Sequence, residues 1–474
     1  MSRSIIRITC FVVLLTCVML CVNGILKMKH GDGIYDVTKF YEQERDSVDV
    51  LILGSSHAFE DFNTGVLWDE YGMAAYVLGG SFQPLWNTYY YLKEGLKTQK
   101  PELIVLEGYM TVFSEEYSGG VIKNSYGLKW SADKVAAIKV STPQEEWRDF
   151  LPEYSQYHTR YTELSAADFL KNQGNPLYEN WKGFGDNIKT ERLPNPDVSG
   201  VNERSELYEK SEKYYRMIIE LAQENDIPIV VVVSPYAGIY EGPQTIFNRA
   251  QDIAAEYGVE FINYNLCYQE IGLDYATDAA DGDHLNFRGN RKFSVAVGRY
   301  LTDHYEISDR RGDSRYQSWQ MGADYIRSTM ADKDLCEAMD RETFLEKAQN
   351  EDYLFFISTD GECDIKNAEI HNILNTFGIS YGGTNEIWQV SDNGVEWYSG
   401  EQETERYLRL DRHDICLRRA LDEEENDFGN TIIVDNFAYK KVDNGVNIIV
   451  YNTVTQKVVD SVGFNAGEDY QLVR

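Results

Sequence analysis

A serine hydroxyl becomes a useful nucleophile only when a neighbouring base takes its proton. Ser56 stands in Gly54-Ser55-Ser56-His57, directly after the apolar run Val48-Asp49-Val50-Leu51-Ile52-Leu53. That run reads as a buried strand. A sharp turn at its end would lift the Ser56 hydroxyl above a sheet edge, with its own backbone N–H available to an oxyanion. Far downstream comes Asp281-Gly282-Asp283-His284. An offset of three on one loop lets a carboxylate orient an imidazole while the ring reaches elsewhere. Ser56, His284 and Asp281 therefore read as nucleophile, base and orienting acid. Taken singly, Ser56 could cap the turn that follows it and His284 could pack at the start of the last helix. His57 adjoins Ser56, but neighbouring side chains diverge, so it reads as a wall residue. Glu107 and Tyr109 read as polar strand-end residues.

These residues need a scaffold that brings distant loops to one edge. Candidate strands recur at Val48–Leu53, Ala74–Leu78, Pro101–Leu106, Ile227–Val233 and Val259–Asn263. Helical patterns intervene, as in Leu85, Tyr89, Leu92 and Leu96, and again near 206–225, 243–257 and 286–301. This rhythm predicts an α/β domain over 47–303 with a parallel sheet covered on both faces. Residues 110–204 lose the rhythm and are rich in Tyr, Trp, Asn, Gly and Lys, so they read as an insertion or lid over the C-terminal edge. Residues 304–345 are charged and read as a helical linker. Beyond them Tyr353–Ile357, Thr431–Val434, Val446–Tyr451 and Lys457–Val462 predict a smaller β-rich domain over 346–474.

Gly54-Ser55-Ser56 resembles the first block of SGNH/GDSL hydrolases, with Ser55 where many members have Asp, and Asp281-x-x-His284 resembles their last block. The resemblance spans 47–303 and implies a flavodoxin-like three-layer α/β/α domain. It is nearest to the membrane-anchored branch that includes DltD-like and alginate-O-acetylation-like proteins. It implies action on acyl groups of an acylated polysaccharide or wall polymer, often beside a membrane-bound O-acyltransferase. The family supplies a Gly and an Asn to its oxyanion hole. Gly79-Gly80-Ser81-Phe82-Gln83 occupies the second block, so the Gly80 N–H and the Gln83 amide are candidates beside the Ser56 N–H. The third block departs from the pattern, with Glu107-Gly108-Tyr109 where Gly-x-Asn is expected. Tyr353–Ser358, Leu374–Ile379, Asn444–Asn452 and Val458–Phe464 resemble an ILEI/PANDER-like domain. A related domain is a glycan-binding stem, so Trp388, Trp397 and Tyr398 are read either as sugar-stacking or as ordinary packing residues.

Composition bounds the rest. The 474 residues carry 77 acidic and 45 basic side chains, a net charge of −32. Such a body repels phosphate backbones, so nucleic acid is not an expected partner. Ile8 to Leu26 carries no charge and is long enough to cross a membrane. Segment 5–26 is expected to be a single-pass anchor with the body outside the cytoplasm, or a signal whose cleavage would release a secreted protein. Seven cysteines include Cys10, Cys17 and Cys21 in the apolar segment. No CxxC pair occurs, and neither metal nor cofactor is expected. A Cys363–Cys416 disulfide is open to the chain. Two functions remain: a serine acyl esterase or O-acetyltransferase, and a degenerate glycan-binding or assembly scaffold.

Overall fold

The computed structural model describes residues 3–28, 33–151, 158–164, 166–169, 180–185, 189–361, 367–380, 385–399, 404–421 and 427–474. It divides into two compact units, Met1–Ala323 and Asp324–Arg474.

In the first unit β1 (Val50–Gly54), β2 (Ala75–Gly79), β3 (Leu103–Glu107), β4 (Ile229–Val233) and β5 (Glu260–Asn263) form one sheet in the order β2-β1-β3-β4-β5. Every pairing is parallel. Strands β1 to β4 are apolar throughout because both faces are covered. Leu51, Leu53, Ile104, Leu106 and Val231 face one helical layer, containing Leu85–Gly95 and Glu209–Glu224. Val50, Ile52, Leu103, Val105, Val230 and Val232 face the other, containing Thr64–Tyr71 and Phe287–His304. Each such side chain contributes about 1.5–3 kcal/mol on burial, which fixes the register and so the height at which each strand ends. The strand order reverses between β1 and β3, and such switch points are where open α/β sheets bind ligands at their C-terminal edge.

The described parts of 110–204 are distributed around this body. Helix Ala132–Ser141 packs on Leu85–Gly95. The Lys182 carbonyl accepts the Val77 N–H at 2.8 Å, which occupies the edge of β2. Ser118 and Asn124 approach the C-terminal edge, where they donate to the Phe82 and Ser81 carbonyls. The expected lid is thus, in its described residues, a wrap along the flanks that touches the edge only at the loop after β2. The remainder, 152–157, 165, 170–179 and 186–188, lies outside the described residues.

The segment expected to be a linker, 304–345, is divided between the units. Arg310 makes a bidentate pair with Asp49 at 2.7 and 2.8 Å, Ser308 bonds Glu102, and Trp319 donates to the Ala75 carbonyl at 3.0 Å. Tyr316, Trp319 and Ala323 are buried in the first unit's core. From Asp324 onward the chain belongs to the second unit. Leu335, Ala338 and Phe344 lie in its core, and Asp332 accepts from Asn452 Nδ2 (2.6 Å) and Thr455 Oγ1 (3.0 Å). Burial raises the Asp332 carboxyl to about 6 against those hydrogen bonds.

The second unit is antiparallel, with a six-stranded sheet ordered β15-β14-β13-β6-β7-β8 and a four-stranded sheet ordered β12-β11-β10-β9. Here β6 is Tyr353–Asp360, β7 Ile387–Ser391, β8 Gly394–Tyr398, β9 Thr404–Leu410, β10 His413–Leu421, β11 Asp427–Val434, β12 Phe437–Ala438, β13 Gly445–Asn452, β14 Lys457–Asn465 and β15 Gln471–Val473. Leu354, Phe356 and Ile449 meet Ile415, Leu417 and Ile432 in an apolar layer. Trp388 is buried and Trp397 is partly buried beneath the Arg406 guanidinium, so of the three proposed stacking residues only Tyr398 is exposed. Cys363 of the Cys363–Cys416 pairing lies outside the described residues. At the other end of the chain, helix Arg3–Leu26 is long and apolar enough to span a membrane or to be a signal sequence.

Candidate active site

Gly54 ends β1 where there is no room for a side chain. A Cβ there would lie 2.7 Å from the Glu107 Cβ and 2.9 Å from the Ala58 Cβ. The chain turns at once into helix Ser56–Asp61, with Ser55 as N-cap. Ser56 is therefore the first helical residue, and a first-turn amide has no partner within its own helix. On the opposite side, the Ala280 N–H donates to the His284 carbonyl at 2.9 Å, closing a tight loop. Asn286 then caps helix Phe287–His304.

These two turns bring Ser56, His284 and Asp281 together. Ser56 Oγ lies 2.8 Å from His284 Nε2, and His284 Nδ1 lies 3.0 and 3.2 Å from the two Asp281 carboxylate oxygens. A carboxylate on Nδ1 requires the proton there, so Nε2 is the acceptor and Ser56 the donor. Asp281 Oδ1 also accepts the N–H groups of Asp283 and His284, both at 2.9 Å. Burial pushes the Asp281 carboxyl up, but the Asp283 N–H, the His284 charge and the His284 N–H outweigh it and hold the carboxyl below its ordinary value. For His284 burial disfavours the cation, yet Asp61, Glu60 and Asp281 together raise its pKa above 6.5.

The expected oxyanion donors divide. Gly80 is held against Asn124, whose Oδ1 would be 2.4 Å from any Cβ at position 80. Gln83 is fully buried and its Nε2 donates one of its two hydrogens to Thr88 Oγ1 at 3.1 Å. The turn after Gly80 tucks it inward and exposes Phe82, which is 70% exposed at φ 50°. A bulky residue in the left-handed region is strained, and such strain clusters at ligand sites.

A buried polar floor went unread. His57 does not wall the site. It is 1% exposed, stacks on Tyr109 at 3.7 Å between centroids, meets Tyr236 edge-on, and lies 5.1 Å from the His284 ring. Its Nδ1 is 3.6 Å from Asp61 Oδ2 and 3.4 Å from Ser234 Oγ. Burial lowers the His57 pKa against the opposing pull of Asp61. Glu107 is likewise fully buried. It accepts the Tyr109 N–H at 2.9 Å, and burial raises its carboxyl well above 4.5. The available signal was a charged residue, Glu107, ending an otherwise apolar strand, which is costly to bury unless it serves a partner. Among the described residues, no cluster of His, Cys, Asp or Glu could hold a metal ion.

No protein-family model matches the chain, and no curated protein matches it. Among solved structures, a GDSL-like lipase from Bacteroides thetaiotaomicron is similar over 56% of this chain and 95% of its own, at 12% identity and a TM-score of 0.28.

Proposed function

We propose that the chain is a serine-dependent acyl-ester enzyme of the SGNH/GDSL type, acting outside the cytoplasm as an esterase or O-acetyltransferase. The observation that carries this reading is the continuous bonding from Ser56 Oγ through His284 to Asp281. Ser56 attacks the ester carbonyl and His284 Nε2 takes its proton. Asp281 keeps Nδ1 protonated and stabilises the imidazolium. The Ser56 and Gly80 N–H groups face the developing oxyanion. The tetrahedral intermediate collapses, the His284 proton passes to the leaving oxygen, and water or a sugar hydroxyl then accepts the acyl group from Ser56.

The acyl group is small, such as acetyl, and its carrier is an exopolysaccharide or wall polymer. Exposed Phe82 after β2 and Tyr240 after β4 flank the Ser56 end of the sheet and offer flat apolar faces to sugar rings. The second unit is an ILEI/PANDER-like module that holds polymer. A cleft of about 460 Å³, lined by Tyr407, Arg409, Asp414 and Asn436, is its candidate glycan surface. Helix Arg3–Leu26 anchors the body to the membrane, where a membrane-bound O-acyltransferase is its partner.

The buried Gln83 and the missing third-block Asn favour one rival, a degenerate scaffold that binds glycan without catalysis. A fluorophosphonate probe separates the two: covalent labelling at Ser56 is expected, and an unlabelled wild type excludes the enzyme. The pH profile adds a second check. The base works only when neutral, and its pKa is raised above 6.5. Activity is therefore present above that raised pKa and lost as pH falls through it. A kcat/KM profile flat down to pH about 5 would exclude His284 as the base.

A further inference from the structure

The triad leaves one set of carboxylates unexplained. Asp61 ends the short helix that Ser56 begins, so the nucleophile and Asp61 move as one body. Its side chain is fully buried, and Oδ1 accepts the N–H of Leu285, the residue after the base, at 3.0 Å. The Asp61 carbonyl accepts from Ser294 Oγ at 3.2 Å, and the Glu60 carbonyl accepts from Asn290 Nδ2 at 3.2 Å, both on the helix that follows His284. Glu60 Oε2 lies 3.8 Å from His284 Nδ1, on the ring nitrogen that Asp281 also faces.

We propose that Asp61, assisted by Glu60, is a positioning residue of the reaction: it fastens the nucleophile's helix to the base's loop and supplies a second carboxylate face to the imidazolium formed when Ser56 attacks. The proposal rests on the serine-enzyme reading above. A neutral acceptor would satisfy the Leu285 N–H, whereas a buried carboxylate is costly and persists where it meets positive charge. One imidazole, that of His57, lies against it, and its charge also acts on that of His284. His57 has its Nδ1 3.6 Å from Asp61 Oδ2, stacks on Tyr109 and meets Tyr236 edge-on, and burial lowers its pKa. His284 is faced by Glu60, 3.8 Å from its Nδ1, and by Asp281 from its own loop, with exposed Asp283 beside it, and the Asp61 charge adds to theirs in raising its pKa. The proton that leaves Ser56 resides on Nε2 and returns to the leaving oxygen.

The test uses the full chain in detergent and measures the rate of fluorophosphonate labelling at Ser56 against pH, for wild type, Asp61→Asn and Glu60→Gln. Removing a negative charge weakens the base. The acid limb is expected to move down by about one pH unit in Asp61→Asn and by less in Glu60→Gln, with a lower plateau in each. A lower plateau or melting temperature with an unmoved limb in both variants overturns the proposal and leaves the serine reading intact. If Asp61→Asn fails to fold by circular dichroism, the Glu60→Gln limb decides. A wild type that does not label at Ser56 overturns the serine reading and this proposal with it.

Discussion

Ser56→Ala is expected to lower turnover of p-nitrophenyl acetate by about 10³-fold or more, because only binding and oxyanion contacts then remain. The substitution is clean. Ser56 occupies the first helical position while Ser55 is the N-cap, so alanine removes Oγ without removing a cap. Melting temperature should stay within the range of surface substitutions, and any loss of activity is then chemical. His284→Ala should cost a similar factor, and the double variant little more, since the two side chains act as one unit across their 2.8 Å contact. Equal rates for wild type and Ser56→Ala would remove Ser56 from the reaction.

Ending the chain at Ala323 is expected to spare hydrolysis of that small ester while lowering activity on acylated polymer by about 10²-fold or more, the scale on which tethering raises effective concentration. The cut matters. Trp319 and Ala323 are packed in the first unit, whereas Leu335, Ala338 and Phe344 belong to the second unit's core. A chain ending at 345 would keep those apolar side chains without their partners and is expected to aggregate. Comparing both lengths on both substrates, with folding checked by circular dichroism, decides the matter. If both activities fall together in a folded chain ending at Ala323, the second unit shapes the site and is not a polymer tether.

The parallel sheet was legible because strands β1 to β4 are apolar runs cut off nearby by glycine or proline. Val48–Leu53 foretold β1 at Val50–Gly54, and Ile227–Val233 foretold β4 at Ile229–Val233. Tertiary covering on both faces makes such runs unambiguous. The hairpins β7–β8 and β9–β10 were not read. Apart from buried β7, their strands are largely half exposed, as in the alternating burial of Thr404–Leu410, and so lack an apolar run. Their marks are local turns, Asn393-Gly394 with Gly394 at φ 99° and Asp411 at φ 51°, which are hairpin chemistry. The division of 304–345 was hidden because Arg310 pairs with residues far back in the sequence, and spacing carries no such information. Within the site, residue type and loop offset pointed to Ser56, Asp281 and His284. The inward direction of Gln83 was not legible because it depends on the backbone at Phe82, and His57, Asp61 and Glu107 were missed because burial is a property of the folded chain.

The proton held on Glu107 sets a second pH demand against that of His284. Its folded pKa lies well above the ordinary 4.5. That contribution to folding is fully present below 4.5 and drains away as pH rises toward the raised value, since the unfolded chain releases the proton that the folded one keeps. On the proposed mechanism the base asks for the opposite, because it works only above its own raised pKa. The floor of the site thus favours the fold in acid while its rim favours turnover in alkali.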